Sequence, residues 1–192
     1  TKYINQRIPD IPMNVKYSFK NGSHLQAGAV LRNMYYKDDI EGKDRIVTGF
    51  GVSLSGIWQF AENTSLCFQG VYGKGISNYI QDISGSGLDL VPCATTEGKL
   101  KAIRAWGGYI GFSHNWCKVL TSNIMYSYAR VLDRYGMPAT SYKYAQYAAA
   151  NLFWNFSEYG SCAIEYVFGR RNDFNKDYGN ASRINTMIQY RF

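Results

Sequence analysis

The residues SRINTMIQYRF, 182–192, alternate without a break: Ile184, Thr186, Ile188, Tyr190 and Phe192 on one side, Arg183, Asn185, Met187, Gln189 and Arg191 on the other. Successive side chains of an extended strand point to opposite faces, so a period of two describes a ribbon with one apolar and one polar surface. The same period returns along the whole chain. It marks nine strand segments, at about 12–20, 24–38, 46–61, 65–80, 102–116, 119–133, 142–157, 161–174 and 183–192. Nothing reads as a long amphipathic helix, so the chain is expected to be all-β and antiparallel.

The connections alternate in length. Asn21 to Ser23, Glu62 to Thr64, Cys117 with Lys118, and Glu158 to Gly160 make tight turns, the first carrying the Asn-Gly hairpin signal. Between them come longer polar stretches: DIEGKDR, QDISGSGLDLVPCATTEGKLK, RYGMPATSYK and NKDYGNAS. Short turns at one end and long loops at the other are the organisation of an outer-membrane barrel, whose strands carry apolar residues outward and polar residues inward. Phe50, Val52, Leu54, Trp58 and Phe60 share one face of the third segment, with Gly49, Gly51, Ser53, Ser55 and Gln59 on the other. A face of Gly, Ser and Gln suits a wet lumen. A soluble sandwich or barrel is the alternative, since alternation alone does not say whether the apolar face meets lipid or a core.

Composition agrees with the barrel. The chain holds 17 Tyr, 10 Phe and 4 Trp, yet its mean hydropathy is −0.30. Trp58, Phe60, Trp116, Trp154, Phe156, Tyr190 and Phe192 fall at the short-turn end, where an interfacial aromatic girdle is expected. The formal charge of +7 comes from scattered Lys and Arg without a basic run, which fits an electropositive cavity better than nucleic acid. The first residues, TKYINQRIPD, lack the apolar core of a signal peptide. With Phe192 on the periplasmic side, nine strands put Thr1 on the extracellular side. An odd number of strands is therefore expected before Thr1, unless a strand is miscounted and the chain is a complete small barrel.

The stretches GGYIGFSHNW, IMYSYARV, YKYAQYAAANLFWNFS, IEYVFGRRNDF and RINTMIQYRF, with PDIPMNVKYSF, LQAGAVLRNMYY and VYGKGISNYI upstream, resemble in order and spacing the DcaP-like outer-membrane porins. The resemblance implies residues 1–192 as a single segment, the C-terminal portion of a 16-stranded barrel corresponding to strands eight to sixteen. It implies a homotrimer in the bacterial outer membrane, with outer-membrane lipid and lipopolysaccharide around it and the C-terminus periplasmic. It implies passive diffusion of small hydrophilic solutes, organic anions such as dicarboxylates above all, with no enzymatic activity, no cofactor and no metal. The Gln81 to Lys101 loop with Cys93, and Cys117 in a turn, depart from the family pattern.

Parity assigns Lys16, Lys20, Arg32, Lys143, Arg171, Arg183 and Arg191 to the polar face, with Glu165 as its acid, and so predicts a positive, anion-preferring lumen. Lys16 and Arg32 are expected at a mid-membrane constriction. Arg171 and Arg183 are expected nearly opposite each other at the outer mouth, with Glu165 deeper and holding an arginine. Tyr190 and Phe192 form the C-terminal barrel-assembly signature. Arg130 and Arg170 point outward, toward lipopolysaccharide phosphates. Cys67, Cys93, Cys117 and Cys162 lack metal spacing; their even number permits disulfides without indicating any, and most are expected to be free, as small buried hydrophobes. GKGISN mimics a phosphate loop but reads as strand, and His24 and His114, beside no acid, make no hydrolytic triad. A small plugged barrel with an adhesive role for its loops is the second functional reading.

Overall fold

A computed structural model describes residues 4–5, 7–38 and 40–192. Its strands are β1 (Ile4–Asn5), β2 (Ile11–Ser18), β3 (His24–Lys37), β4 (Asp44–Ala61), β5 (Thr64–Lys74), β6 (Leu90–Pro92), β7 (Leu100–Ala102), β8 (Arg104–Cys117), β9 (Leu120–Val131), β10 (Tyr142–Trp154), β11 (Gly160–Asp173) and β12 (Tyr178–Tyr190). Two single turns of 3₁₀ helix, Ser77–Tyr79 and Gln81–Ile83, lie between β5 and β6. The nine long strands coincide with the nine expected segments. Thr1, expected on the extracellular side, lies outside the described residues.

All the long strands join one antiparallel sheet in the order β3-β4-β5-β8-β9-β10-β11-β12, with β1 and β2 both paired to β3. The short strands β6 and β7 pair with each other. Among the described residues β12 pairs only with β11, so both sides of the sheet end on exposed strands.

Register ties the alternation of every strand to two faces. Asn14, Gly28, Ser53, Val71, Gly107, Ala129, Ala145, Arg171 and Gly179 form one row across nine strands. The next row, Val15, Ala27, Leu54, Gly70, Gly108, Tyr128, Gln146, Arg170 and Asn180, points the other way. The first row belongs to the inner face, the second to the outer.

Only the inner face is covered. The segment 75–103 folds back over it, and Ile76, Ile80, Ile83, Val91 and Ile103 pack against Val30, Ala105, Ala129 and Val131 of the wall. A second cluster places Leu90 and Ala102 against Met34 and Tyr36 of β3. The outer face keeps its large apolar residues bare: Val15 is 75% exposed, Ile124 63% and Ile188 85%. Its aromatics gather at both ends. Trp58, Phe60, Trp116, Trp154, Phe156, Tyr190 and Phe192 are exposed at the short-turn end, as expected, and at the loop end Tyr128 stacks on Tyr144 and meets Trp106 at a tilt.

Several boundaries differ from the sequence reading, each for a local reason. The fourth segment was expected to run to 80, but β5 stops at Lys74 because Gly75 takes a φ of +68°, where a side chain is strained, and a Cβ there would sit 2.5 Å from the Met34 methyl. Of GKGISN, read as strand, only Gly73 and Lys74 are strand; Gly75 and Ile76 turn the chain into the first 3₁₀ turn. The last strand begins at Tyr178, not 183, because Asp173 and Asp177 close a tight turn through Asp173 N–H to Asp177 O and Lys176 N–H to Asp173 O. NKDYGNAS is thus mostly strand. The Asn-Gly turn forms as expected, with Gly22 at φ +82° and the Ser23 N–H donating to the Asn21 side chain.

Candidate functional site

The inner face and its infolded segment make the candidate site. The segment is pinned at its root by Arg32, which donates through Nε to Asp10 at 2.9 Å and through Nη1 to the Gly75 carbonyl, with Asp89 at 3.0 Å. Asp89 in turn accepts from the Ser77 N–H and hydroxyl, which fixes the first 3₁₀ turn. Tyr79 lies under the same guanidinium, 5.4 Å from ring centre to Cζ, and donates to Asp10 at 2.7 Å. Burial, reinforced by that bond to Asp10, pushes the Tyr79 phenol above its usual range. At the far side of the segment the Tyr142 hydroxyl is shared between Asp82 and the Ala129 carbonyl. The hairpin of β6 and β7 is tied back by the Leu100 N–H donating to the Tyr36 hydroxyl.

These anchors hold the two 3₁₀ turns over the middle of the inner wall. Between them and the wall lies a cavity of ≈ 330 Å³, lined by Tyr79, Asp82, Gln69, Tyr109, Ser127 and Tyr147 among others. A second, of ≈ 220 Å³, adjoins it against Asn14, Gln26, Ser53 and Gln69. Amides, hydroxyls and phenol rings bound both. Toward the short-turn end a ladder of side chains crosses four strands: Asn123 donates to Asn151, and Asn151 and Asn185 both donate to Glu165. Such a wall offers hydrogen-bonding groups to water and small polar molecules.

The expected basic residues are only partly brought together. Arg32 is corrected: it is 5% exposed and fully engaged with two carboxylates and a carbonyl, so it organises the segment. It also stands apart from Lys16, which pairs in register with Gln26, about 20 Å nearer the short-turn end along β3. Arg171 and Arg183 do not face each other. Arg171 pairs with Gly179 and Arg183 with Val167, an offset of about 13 Å along the strands. Arg171 is bound instead to Asp173 at 2.9 Å. Glu165 holds asparagines rather than an arginine. Lys143 sits at the β-bulge between Tyr142 and Tyr144, Lys20 in the turn after β2, and Arg191 just beyond β12. Lys16 and Arg183 are exposed on the inner face. Asp82 and Asp89 on the infolded segment offset the expected seven-to-one excess of positive charge.

The sequence reading missed the acids and phenols of this site. Asp82 and Asp89 looked like ordinary loop residues, and Tyr79 like the end of the strand expected over 65–80. The available signal was apolar: after Gly75 the isoleucines fall at 76, 80 and 83, which breaks the alternation of period two, and a stretch that must bury all three has to fold onto something.

The four cysteines are free, as expected, but none is buried: Cys117 is exposed and Cys67, Cys93 and Cys162 are half-buried. A hydrogen bond with the Thr95 side chain, followed by backbone N–H groups nearby, lowers the Cys93 thiol to about 6. His114 Nδ1 lies 2.8 Å from Thr64 Oγ1 on the outer face.

No protein-family model matches the chain, and no curated protein matches it. Among solved structures, the outer membrane channel DcaP of Acinetobacter baumannii matches with a TM-score of 0.82 at 18% identity, over 100% of this chain and 54% of that one. The chain thus spans about half the length of the channel it matches. The NanC porin matches with a TM-score of 0.47 at 11% identity, over 95% of this chain and 93% of that one. At such identities the DcaP likeness is one of fold, and at that level the resemblance read from the sequence is met.

Proposed function

We propose that this chain forms part of an outer-membrane β-barrel channel through which small hydrophilic solutes diffuse passively, with preference for organic anions such as dicarboxylates. The observation that carries the reading is the inversion of the usual burial rule: the apolar face is bare, and the polar face is the one the chain covers with its own segment. A water-soluble sandwich would bury Ile124, Ile164 and Ile184, each more than half exposed. A bilayer supplies the missing apolar partner. On β8 the outer-face Trp106 and Trp116 stand ten residues apart, and at a rise of about 3.4 Å and a tilt of about 40° they bracket roughly 26 Å, the height of a barrel's apolar band.

The two exposed sheet edges support a larger barrel, since unpaired backbone groups are not tolerated against lipid. The 54% coverage of the matched channel supports the same view. In this reading residues 1–192 are one barrel segment, the C-terminal portion of a sixteen-stranded, homotrimeric protein with its C-terminus periplasmic and the girdle of Tyr190 and Phe192 at the inner leaflet. The segment 75–103 narrows the pore. Anion preference rests on the formal charge of +7 and on Lys16 and Arg183, exposed along the inner face, with Lys143 and Arg171 nearer the loop end. Solutes pass without bond chemistry, and no enzymatic role is assigned. The second reading, a plugged barrel with adhesive loops, draws on the same infolded segment.

The reversal potential of the natively purified protein in a planar bilayer under a salt gradient separates these readings. The channel reading expects a conductance whose anion selectivity weakens as salt rises. Cation selectivity would remove the anion claim, and silence from demonstrably inserted protein would favour the plug.

A further inference from the structure

The outer face is not a uniform apolar wall. Between β4 and β9 it carries a groove of ≈ 1030 Å³ whose floor is the backbone of Gly70 and Gly108, paired directly across β5 and β8. Its walls are Leu54, Tyr72, Trp106, Ile110 and Tyr128. The two floor residues lack side chains for different reasons. A Cβ at Gly108 would lie 2.4 Å from the Gln69 carbonyl oxygen, so packing forbids one there, whereas a Cβ at Gly70 would meet nothing within 4 Å. The space over Gly70 is therefore left open without any demand from the fold.

Above the groove, toward the loop end, the outer face turns basic. Arg130 stands in the row of Tyr72 and Trp106, and Lys74 and Arg104 form the next row. Arg104 is held by Asp133, Nη2 to Oδ1 at 2.6 Å, and its guanidinium keeps the Asp133 carboxyl below the usual range. Arg130 Nε is enclosed and has no hydrogen-bond partner. Arg130 is half-buried and, unlike Arg104, forms no ion pair among the described residues. A narrow apolar channel capped by two bases matches one chemistry: an acyl chain joined to a phosphate.

The geometry points to a lipid site here, taking a phosphorylated, acylated glycolipid of the outer leaflet, with an acyl chain laid over Gly70 and Gly108, one phosphate at Lys74 and a second at Arg130. This rests on the proposed orientation in the outer membrane, which puts the loop end at the outer leaflet. A glycolipid with more than one phosphate uses bases on both sides of the groove, where a phospholipid offers one. The tilted ring pair of Trp106 and Tyr128, 4.9 Å between centroids, closes one wall at the depth where head groups meet acyl chains.

The test uses natively purified, delipidated protein and native mass spectrometry with three probes: diphosphorylated lipid A, its dephosphorylated form and phosphatidylglycerol. Lipid A is expected to remain bound. Removing its phosphates, or the double substitution K74Q and R130Q, weakens binding about tenfold or more, the loss expected of charge-assisted hydrogen bonds. G70L, which fills the groove where space exists, weakens it with the bases intact. Equal binding of phosphatidylglycerol, unchanged binding by both variants, or a second protein copy covering the groove in place of lipid would overturn the assignment. Conductance in the same preparations keeps the two proposals apart: a conducting protein without the lipid preference loses only this site.

Discussion

Arg32 shows how one side chain decides what a loop does. Its guanidinium is buried between Asp10 and Asp89, whose side chains are also largely enclosed, and it caps the Gly75 carbonyl where the chain leaves β5. Removing one partner of such a pair leaves buried charge uncompensated, at a cost of about 3–5 kcal/mol. R32A is therefore expected to release the segment 75–103, seen as protease cleavage within it and a larger single-channel conductance, with R32K restoring part of both. Unchanged cleavage would mean the isoleucines alone hold the segment. Cys93 offers a separate reading of the same region. With its thiol lowered to about 6, the thiolate prevails above that pH, so alkylation by iodoacetamide should reach half its maximal rate near pH 6. A midpoint in the ordinary thiol range, measured by peptide mass spectrometry, would show that the Thr95 contact is not kept in solution.

At the scale of the element, each long strand divides its residues between two media, and the division was legible in the sequence because a period of two survives any uncertainty in strand ends. Ile124 and Phe112 face outward while Asn123 and Ser113 face inward, whatever the register. I124R places a charge within the apolar band and is expected to cost about 2–4 kcal/mol in bilayer folding titrations, whereas N123R on the same strand costs little. Equal costs at the two positions would remove the distinction between faces. Pattern alone did not reveal where strands stop. Gly75 breaks a segment whose alternation continues past it, and Asp173 and Asp177 shorten a stretch that looks like loop by composition. The site was the least legible part. Parity placed Lys16, Arg171 and Arg183 on the right face, but depth and pairing depend on register and on what folds over the wall, and neither is local. Arg32 was read as a free base because its partners come from β5's following loop and from Asp10, distant in the chain.

As a whole, the proposed barrel sets one sheet face against lipid and lines a water path, narrowed by the chain's own segment, with the other. The bare apolar face, the aromatic bands at both ends and the fold likeness to an outer membrane channel belong to one account. The most direct measurement is cysteine accessibility along β9 in lipid bilayers. Single cysteines are introduced at 123 through 128 in a background without the four native ones. The account predicts that positions 123, 125 and 127 react with a membrane-impermeant thiol reagent while 124, 126 and 128 are protected and quenched from the lipid phase. Uniform labelling along the strand, or the opposite alternation, would contradict it.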